Sequence, residues 1–557
     1  MKKIFFVLFA ALMIVVSDAF ASKAVSRHRV VTLQDGRQIT VSLRGDEHFS
    51  FWASSSGQLV IREGNLWRMA TETEIQEAEL SMQNAMRKSG ETILGNGLFP
   101  HMGNPKALVI LVSFSDRDFL FPKEQIEGLF NGTEYNTESG KVSYSSLAQY
   151  MNDCSDGQFR PEFDVVGPYK LSNSSEYYGK NSGNVKDINT TEFIKEACTL
   201  ADADVDFSQY DADEDGLVDL VYIMYAGFGE NWGGSDDYLW PKSGYSYFGD
   251  YDGVSVCRYG INNELLGDES TLDASGNHIL GGIGVLTHEF CHTLGLPDVY
   301  PTMNWSDVTM YDNQSMEYWD LMDNGENNYN GYYPTPLTAF ERELFGWITI
   351  ETLADASYIE MKPLQDGGKA YRILNDNDDT GNEYYILEAI PNGDNAGWYR
   401  RMRGNGLLVT HINYSLGFFS GFNHPNNVAG SPRWTIVPAD GIIMTSYRRS
   451  LPASDPNYIS TADYNADHAG DTYPGTSNVT ELTDYKSYIG EVEKPITEIT
   501  QNGFNISFKF MGGVDDIRTV EASAGAYGDV MFNLQGQKVG NDYKGIVIRA
   551  GKKFLKE

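Results

Sequence analysis

Hydrophobic and polar positions alternate in two short runs near the start of the chain. Residues 29–43 alternate around Asp35-Gly36 and residues 50–67 around Ser56-Gly57, the pattern of two β-hairpins. Glu72 to Ser89 is rich in Glu, Gln, Met and Ala and lacks Gly and Pro, which predicts a helix. Ala107 to Val112 is an unbroken apolar run, as expected of a strand buried on both faces. Ser145 to Asn152 reads as a helix, Phe163 to Val166 as a strand, Thr191 to Leu200 as a helix and Leu217 to Tyr225 as a second buried strand. A further helix follows through His288 and His292, and Thr338 to Phe345 predicts a closing helix ended by Gly346. Strands alternating with helices in this order predict an α/β domain. Beyond Glu351 the pattern changes again. Tyr384 to Ala389, Gly406 to Asn413, Arg433 to Val437 and Ile506 to Phe510 read as strands between loops rich in Asn, Asp and Gly, so an all-β domain is expected.

The chemistry is concentrated in one stretch, His288-Glu289-Phe290-Cys291-His292-Thr293-Leu294-Gly295-Leu296-Pro297-Asp298. Residues four apart on a helix share a face, so His288 and His292 can present two imidazoles to one divalent metal, with Zn²⁺ the best match. Glu289 sits about 100° round the helix, beside the metal rather than on it, where a carboxylate can take a proton from water. Gly295 can end the helix in a left-handed turn and Pro297 forbids its resumption, which brings Asp298 back as a third ligand. Three protein ligands leave the open position that a catalytic zinc requires. Cys291 reads as a small buried packing residue.

A second acidic pattern runs Asp211-Ala212-Asp213-Glu214-Asp215-Gly216-Leu217-Val218-Asp219. Carboxylates at alternate positions and a Gly for the turn suit a Ca²⁺ loop, with Asp211, Asp213, Asp215 and Asp219 and the Leu217 carbonyl as candidate ligands. The twelfth position is Tyr222 rather than a bidentate Glu, so the loop is not an EF-hand.

A length of 557 residues exceeds what one core supports, and several domains are expected. A formal net charge of -35 argues against nucleic acid or an anionic membrane as partner. At the start, Lys2 and Lys3 precede an apolar stretch from Ile4 to Val16, and Ala19-Phe20-Ala21 forms a cleavage site before Ser22. That is the pattern of a signal peptide over residues 1–21, which predicts a secreted or cell-surface protein with no integral membrane segment after cleavage. Cys154, Cys198, Cys257 and Cys291 allow three pairings in an oxidising compartment, none with CxxC spacing. His411, His424 and His468 show no ligand spacing and are assigned no metal.

Several segments together resemble the immune-inhibitor-A family of secreted bacterial zinc metallopeptidases, a metzincin-like group. They are Ser155 to Phe159, Asp164 to Pro168, Tyr177-Tyr178-Gly179, the Asp211–Asp219 loop ahead of Tyr225-Ala226-Gly227, Trp240-Pro241, His288–Asp298, Trp319 to Met322, Leu337 to Trp347 and Tyr384 to Glu388. The resemblance implies a zinc endopeptidase made as a zymogen and acting on protein or peptide substrates, with His288, His292 and Asp298 as ligands and Glu289 as general base. Cys291 departs from it, standing where a small residue such as Gly is usual. It also implies that Met322 is the Met-turn methionine of a metzincin-like domain. The expected division is a signal peptide to residue 21, a propeptide over 22–104, the catalytic domain over 105–350, the all-β domain over 351–512 and a C-terminal β module over 513–557. By analogy with aspartate switches in metzincin zymogens, Asp46 in Arg44-Gly45-Asp46-Glu47 is a candidate to occupy the open metal position. The tail from Val530 to Lys553 resembles the sorting modules of type IX secretion. The rival reading is a surface adhesin whose zinc site is structural; such a site needs four ligands and has no use for Glu289.

Overall fold

The computed structural model describes residues 98–301 and 314–513 apart from 137–141, 183–184, 416–417, 419–424, 429 and 452. It also describes 18–21, 29–75 apart from 46–49, 55–57, 64–65 and 72, and 530–556 apart from 535, 541, 550 and 551. Asp46, His424, most of the 72–89 helix and the apolar stretch of the signal peptide lie outside these residues.

The apolar run becomes β1 (Lys106–Ser113), an interior strand of a mixed sheet. It is flanked in parallel by β2 (Glu162–Lys170) and β3 (Val221–Tyr225). Beyond β3 lies a hairpin of β4 (Lys242–Tyr251) and β5 (Val254–Asn263), with β5 parallel to β3 and β4 antiparallel to β5. Asp18–Ala21 pairs antiparallel with the outer edge of β4. The strand expected over 217–225 is broken after Val218, and both parts run parallel to β5.

Alternation along the strands sorts the side chains into two layers. Ala107, Val109, Leu111, Tyr222 and Met224 face one core, which holds α1 (Leu147–Cys154) and the metal-motif helix α3 (Ile283–Thr293). Leu108, Ile110, Val112, Val221, Ile223 and Tyr225 face the other, covered by α2 (Thr190–Ala201). Helices on both faces are why β1 reads as one apolar run. Ser146 caps α1 by accepting from the Gln149 N–H at 3.1 Å, and the predicted closing helix appears as α4 (Ala339–Leu344) with a Thr338/Glu341 capping box.

The β4–β5 hairpin was not anticipated. Its signal is the Asp252-Gly253 turn, where both residues have positive φ, 51° and 88°, as a two-residue hairpin loop demands.

The mixed α/β region is followed by a β-rich one. A five-stranded sheet (Glu351–Thr352, Tyr371–Leu374, Glu383–Ile390, Gly406–Asn413, Trp434–Ile436) puts Tyr384, Ile386, Leu408, Ile412 and Trp434 into the same core as α3. Its other face packs Tyr385, Leu387 and Val409 on a three-stranded sheet (Ser357–Met361, Ile496–Asn502, Asn505–Phe510). The tail is a separate four-stranded sheet of Met531–Asn533, Lys538–Val539, Gly545–Arg549 and Lys552–Lys556.

Both N-terminal hairpins form and join in a five-stranded sheet over residues 29–69. It docks on residues 233–240. Trp240 is wholly buried among Val31, Leu43, Trp52 and Trp67. Arg29 donates to the Gly233 carbonyl at 2.6 Å, and Trp52 Nε1 and Arg62 reach Asp236 at 3.2 and 3.0 Å.

All four cysteines are buried free thiols. No helix among the described residues is long and apolar enough to cross a membrane.

Candidate metal centre

Helix α3 follows its N-cap Gly282 and is buried along its whole length. Its start lies against residues 326–331. A Cβ on Gly284 would fall 1.8 Å from the Glu326 carbonyl oxygen, so only Gly allows this approach. At the other end Gly295 takes φ 102°, its N–H donates to the His292 carbonyl and the Leu296 N–H to the Cys291 carbonyl. This is a Schellman turn, as the Gly-x-Pro spacing predicts. It reverses the chain and returns Asp298 to the face carrying the histidines.

There three donor atoms converge. His288 Nε2 lies 3.0 Å from His292 Nε2 and 3.1 Å from Asp298 Oδ1, and His292 Nε2 lies 3.3 Å from the same oxygen. All three side chains are at most 1% exposed. The outer ring nitrogens fix the tautomers. His292 Nδ1 donates to the Leu296 carbonyl at 2.8 Å and His288 Nδ1 to the Leu321 carbonyl at 3.2 Å. With each Nδ1 occupied as a donor, both Nε2 atoms are directed at the Asp298 carboxylate. Two ring nitrogens and a carboxylate oxygen facing one another at 3.0–3.3 Å need a cation among them, a proton or a metal ion, and the donor set is one that zinc accepts.

The local field agrees. Burial depresses an imidazole, yet His288 is pushed up to about 10 because the carboxylates of Glu326, Asp298 and Glu289 outweigh that burial. Burial likewise opposes ionisation of Asp298, and the two imidazoles overcome it and hold the carboxyl far below the usual range. A cation held by these residues answers the same field.

Glu289, fully buried, lies between the two histidines on α3. Met322 is also fully buried. Its carbonyl accepts from the Val299 N–H at 2.9 Å, which ties the Met322 turn to the residue after Asp298. The same turn supplies the Leu321 carbonyl to His288, a role the sequence pattern did not single out. Glu326, whose carboxylate lies 3.5 Å from His288 Nδ1, was missed altogether, and nothing in its neighbourhood of Asn and Gly marks it. Cys291 is wholly buried in the core, as its packing role requires.

This constellation lies within residues 102–348, which match the model of the immune inhibitor A peptidase M6 catalytic domain. The chain is homologous to the immune inhibitor A peptidases. It is 26% identical over 301 residues to the pre-pro-metalloprotease PrtV of Vibrio cholerae serotype O1, covering 46% of this chain and 32% of that protein. It is 25% identical over 280 residues to immune inhibitor A of Bacillus thuringiensis subsp. alesti, covering 43% and 39%. The chain thus spans only 32–39% of the length of these curated relatives. Together the match and the His/His/Asp cluster support a metal-dependent peptidase activity at the level of the family.

The acidic loop brings carboxylate oxygens of Asp211, Asp213 and Asp215 within 4.8 Å of one another. Asp219 is outside that cluster and accepts from the Ala212 N–H at 3.0 Å. The Leu217 N–H donates to Asp215 Oδ1 at 2.8 Å. Burial, with Asp213, Asp211 and Asp215 adding like charge, raises Asp219 to about 6. His411 pairs with Glu383 and His468 with Asp471, each away from the metal cluster.

Proposed function

We propose that this chain is a secreted zinc endopeptidase, made as a latent precursor. The carrying observation is the convergence of His288, His292 and Asp298 on one point, with Glu289 beside them on the same helix. Among the described residues this cluster has three donors rather than the four of a closed structural site, which favours catalysis over the adhesin reading. His288, His292 and Asp298 would hold the Zn²⁺, which when bound supplies Lewis acidity to polarise a scissile carbonyl and to acidify water. The Glu289 carboxylate accepts the proton of the attacking water and returns it to the leaving amine nitrogen. The Leu296 and Leu321 carbonyls keep both imidazoles in the tautomer that presents Nε2.

Latency is supported by the burial of all four side chains in the full chain, and by the docking of the 29–69 sheet on residues 233–240. The description of PrtV as a pre-pro-metalloprotease points the same way. In this reading residues 22–104 are removed on activation, Asp46 is the candidate switch, Met322 is the Met-turn residue, the Asp211–Asp219 loop takes Ca²⁺ and the tail sheet serves export.

Glu289→Gln tests the reading. It should keep Zn²⁺ bound and lower peptide hydrolysis by about 10²–10⁴-fold, the range for loss of a general base. Zinc loss in this variant, or unaltered hydrolysis by it, would overturn the assignment.

A further inference from the structure

The two segments that complete the metal centre outside α3 are held by side chains of the β-rich region. Asp298 is followed by Val299, whose N–H is bound by the Met322 carbonyl. The Val299 carbonyl accepts from Asn426 Nδ2 at 2.6 Å. Asn426 is wholly buried and has every hydrogen-bonding capacity of its amide in use. Nδ2 also donates to the Trp434 carbonyl at 2.7 Å, and Oδ1 accepts from the N–H groups of Arg433 and Trp434 at 2.9 and 3.1 Å. Two carbonyls on one side and two N–H groups on the other leave a single orientation for the amide. Two residues further on, the Pro301 carbonyl accepts from the Tyr447 hydroxyl at 3.1 Å.

The turn that holds His288 is braced in the same way. Trp319 Nε1 donates to Asp471 Oδ2 at 2.8 Å, and His468 Nδ1 lies 2.9 Å from that oxygen. The His468 ring stacks on Trp319 at 4.7 Å between centroids and 25° between planes. Trp319 is two residues before Leu321, whose carbonyl accepts the hydrogen bond from His288 Nδ1.

We propose that Asn426, Tyr447 and Asp471 are positioning residues of the metal centre, so that the β-rich region is part of the site although the family match ends at residue 348. Asn426 and Tyr447 set the backbone that carries Asp298, and Asp471 sets the turn that orients His288. Outer partners of this kind tune metal affinity by about 10- to 100-fold. The proposal rests on the zinc reading above.

The test is the Zn²⁺ dissociation constant of the full chain carrying Glu289→Gln, measured by competition with a chromogenic chelator. It is measured for that parent and with Asn426→Ala, Asp471→Ala or Tyr447→Phe added, and with Lys494→Ala as a control. Lys494 pairs with Asp376 at 2.6 Å in the same region and touches neither segment. Asn426→Ala and Asp471→Ala should weaken Zn²⁺ binding about 10- to 100-fold, and Tyr447→Phe a few-fold. Lys494→Ala should leave it unchanged. Tyr447→Phe removes one hydroxyl only. Its melting midpoint in excess chelator should match the parent while the increment produced by Zn²⁺ shrinks, which a merely structural role would not give. Should the alanine variants fail to fold, Tyr447→Phe decides. A parent that binds Zn²⁺ while the folded variants bind it equally well overturns the positioning role alone, as does an equal loss in Lys494→Ala. A parent that takes up no Zn²⁺ overturns the peptidase reading and this proposal with it.

Discussion

Removing the metal from the proposed centre should destabilise the protein by an amount that charge and mass action set. Glu289, Asp298 and Glu326 are three carboxylates no more than 1% exposed, and Asp298 and Glu326 lie 3.1 and 3.5 Å from the ring nitrogens of His288, whose neutral form a ligand requires. A divalent cation offsets the charges of Asp298 and Glu326, the two carboxylates that remain in Glu289→Gln; without it the cluster draws a proton onto His288, which these carboxylates favour. Binding to the native state alone stabilises by RT ln(1 + [L]/Kd), about 4.1 kcal/mol at a thousandfold excess over Kd. For a unit the size of residues 102–348, each kcal/mol moves the midpoint by about 2–4 °C, so chelation should lower it by roughly 8–16 °C. The assay is differential scanning calorimetry of the Glu289→Gln chain, which cannot digest itself, in EDTA and after Zn²⁺ is restored. His292→Ala in the same background should melt near the EDTA midpoint and ignore added Zn²⁺. A midpoint that does not move on chelation, or that Zn²⁺ raises equally in the His292→Ala form, would refute the reasoning.

Gly284→Ala drives a methyl into the Glu326 carbonyl oxygen, so it should cost about 1–3 kcal/mol by urea unfolding and weaken Zn²⁺ retention. Calcium should raise the midpoint through the acidic loop, and Asp213→Ala should shrink that rise. Asp219 is an acid whose folded pKa is raised to about 6, so the folded form holds the extra proton and stability without Ca²⁺ falls as pH rises from about 4 to about 6. The calcium increment should therefore be larger at pH 7 than at pH 5, and a calorimetric increment independent of pH would count against the loop. Asp236→Ala removes the acceptor of both Trp52 and Arg62, and limited proteolysis should then cut residues 29–75 faster than in the parent.

The parts legible in the sequence were those governed by local rules. The helix spacing of His288 and His292, the Gly295 stop and the return of Asp298 follow from backbone geometry within eleven residues, and all three appear. The helices α1 and α4 and the run of β1 were readable for the same reason. What escaped depends on distant pairing. Nothing near Glu326 predicts a carboxylate beside His288, and nothing near Asn426 predicts a partner 127 residues away. The break after Val218 also escaped, because Asp219 and Leu220 continue a pattern that reads as one strand.

The docked sheet over residues 29–69 has a kinetic meaning. While the chain is continuous, its few anchors on Gly233, Asp236 and Trp240 act as an intramolecular ligand at an effective concentration on the order of millimolar. A single cut on the C-terminal side of the sheet makes the same contact bimolecular without altering one atom of it. The sheet then stays only if the surrounding concentration of cut chains exceeds its dissociation constant. Dilution into a large external volume would complete the release, whereas a crowded compartment would retain it. The anchors are few enough for one cleavage to decide between the two.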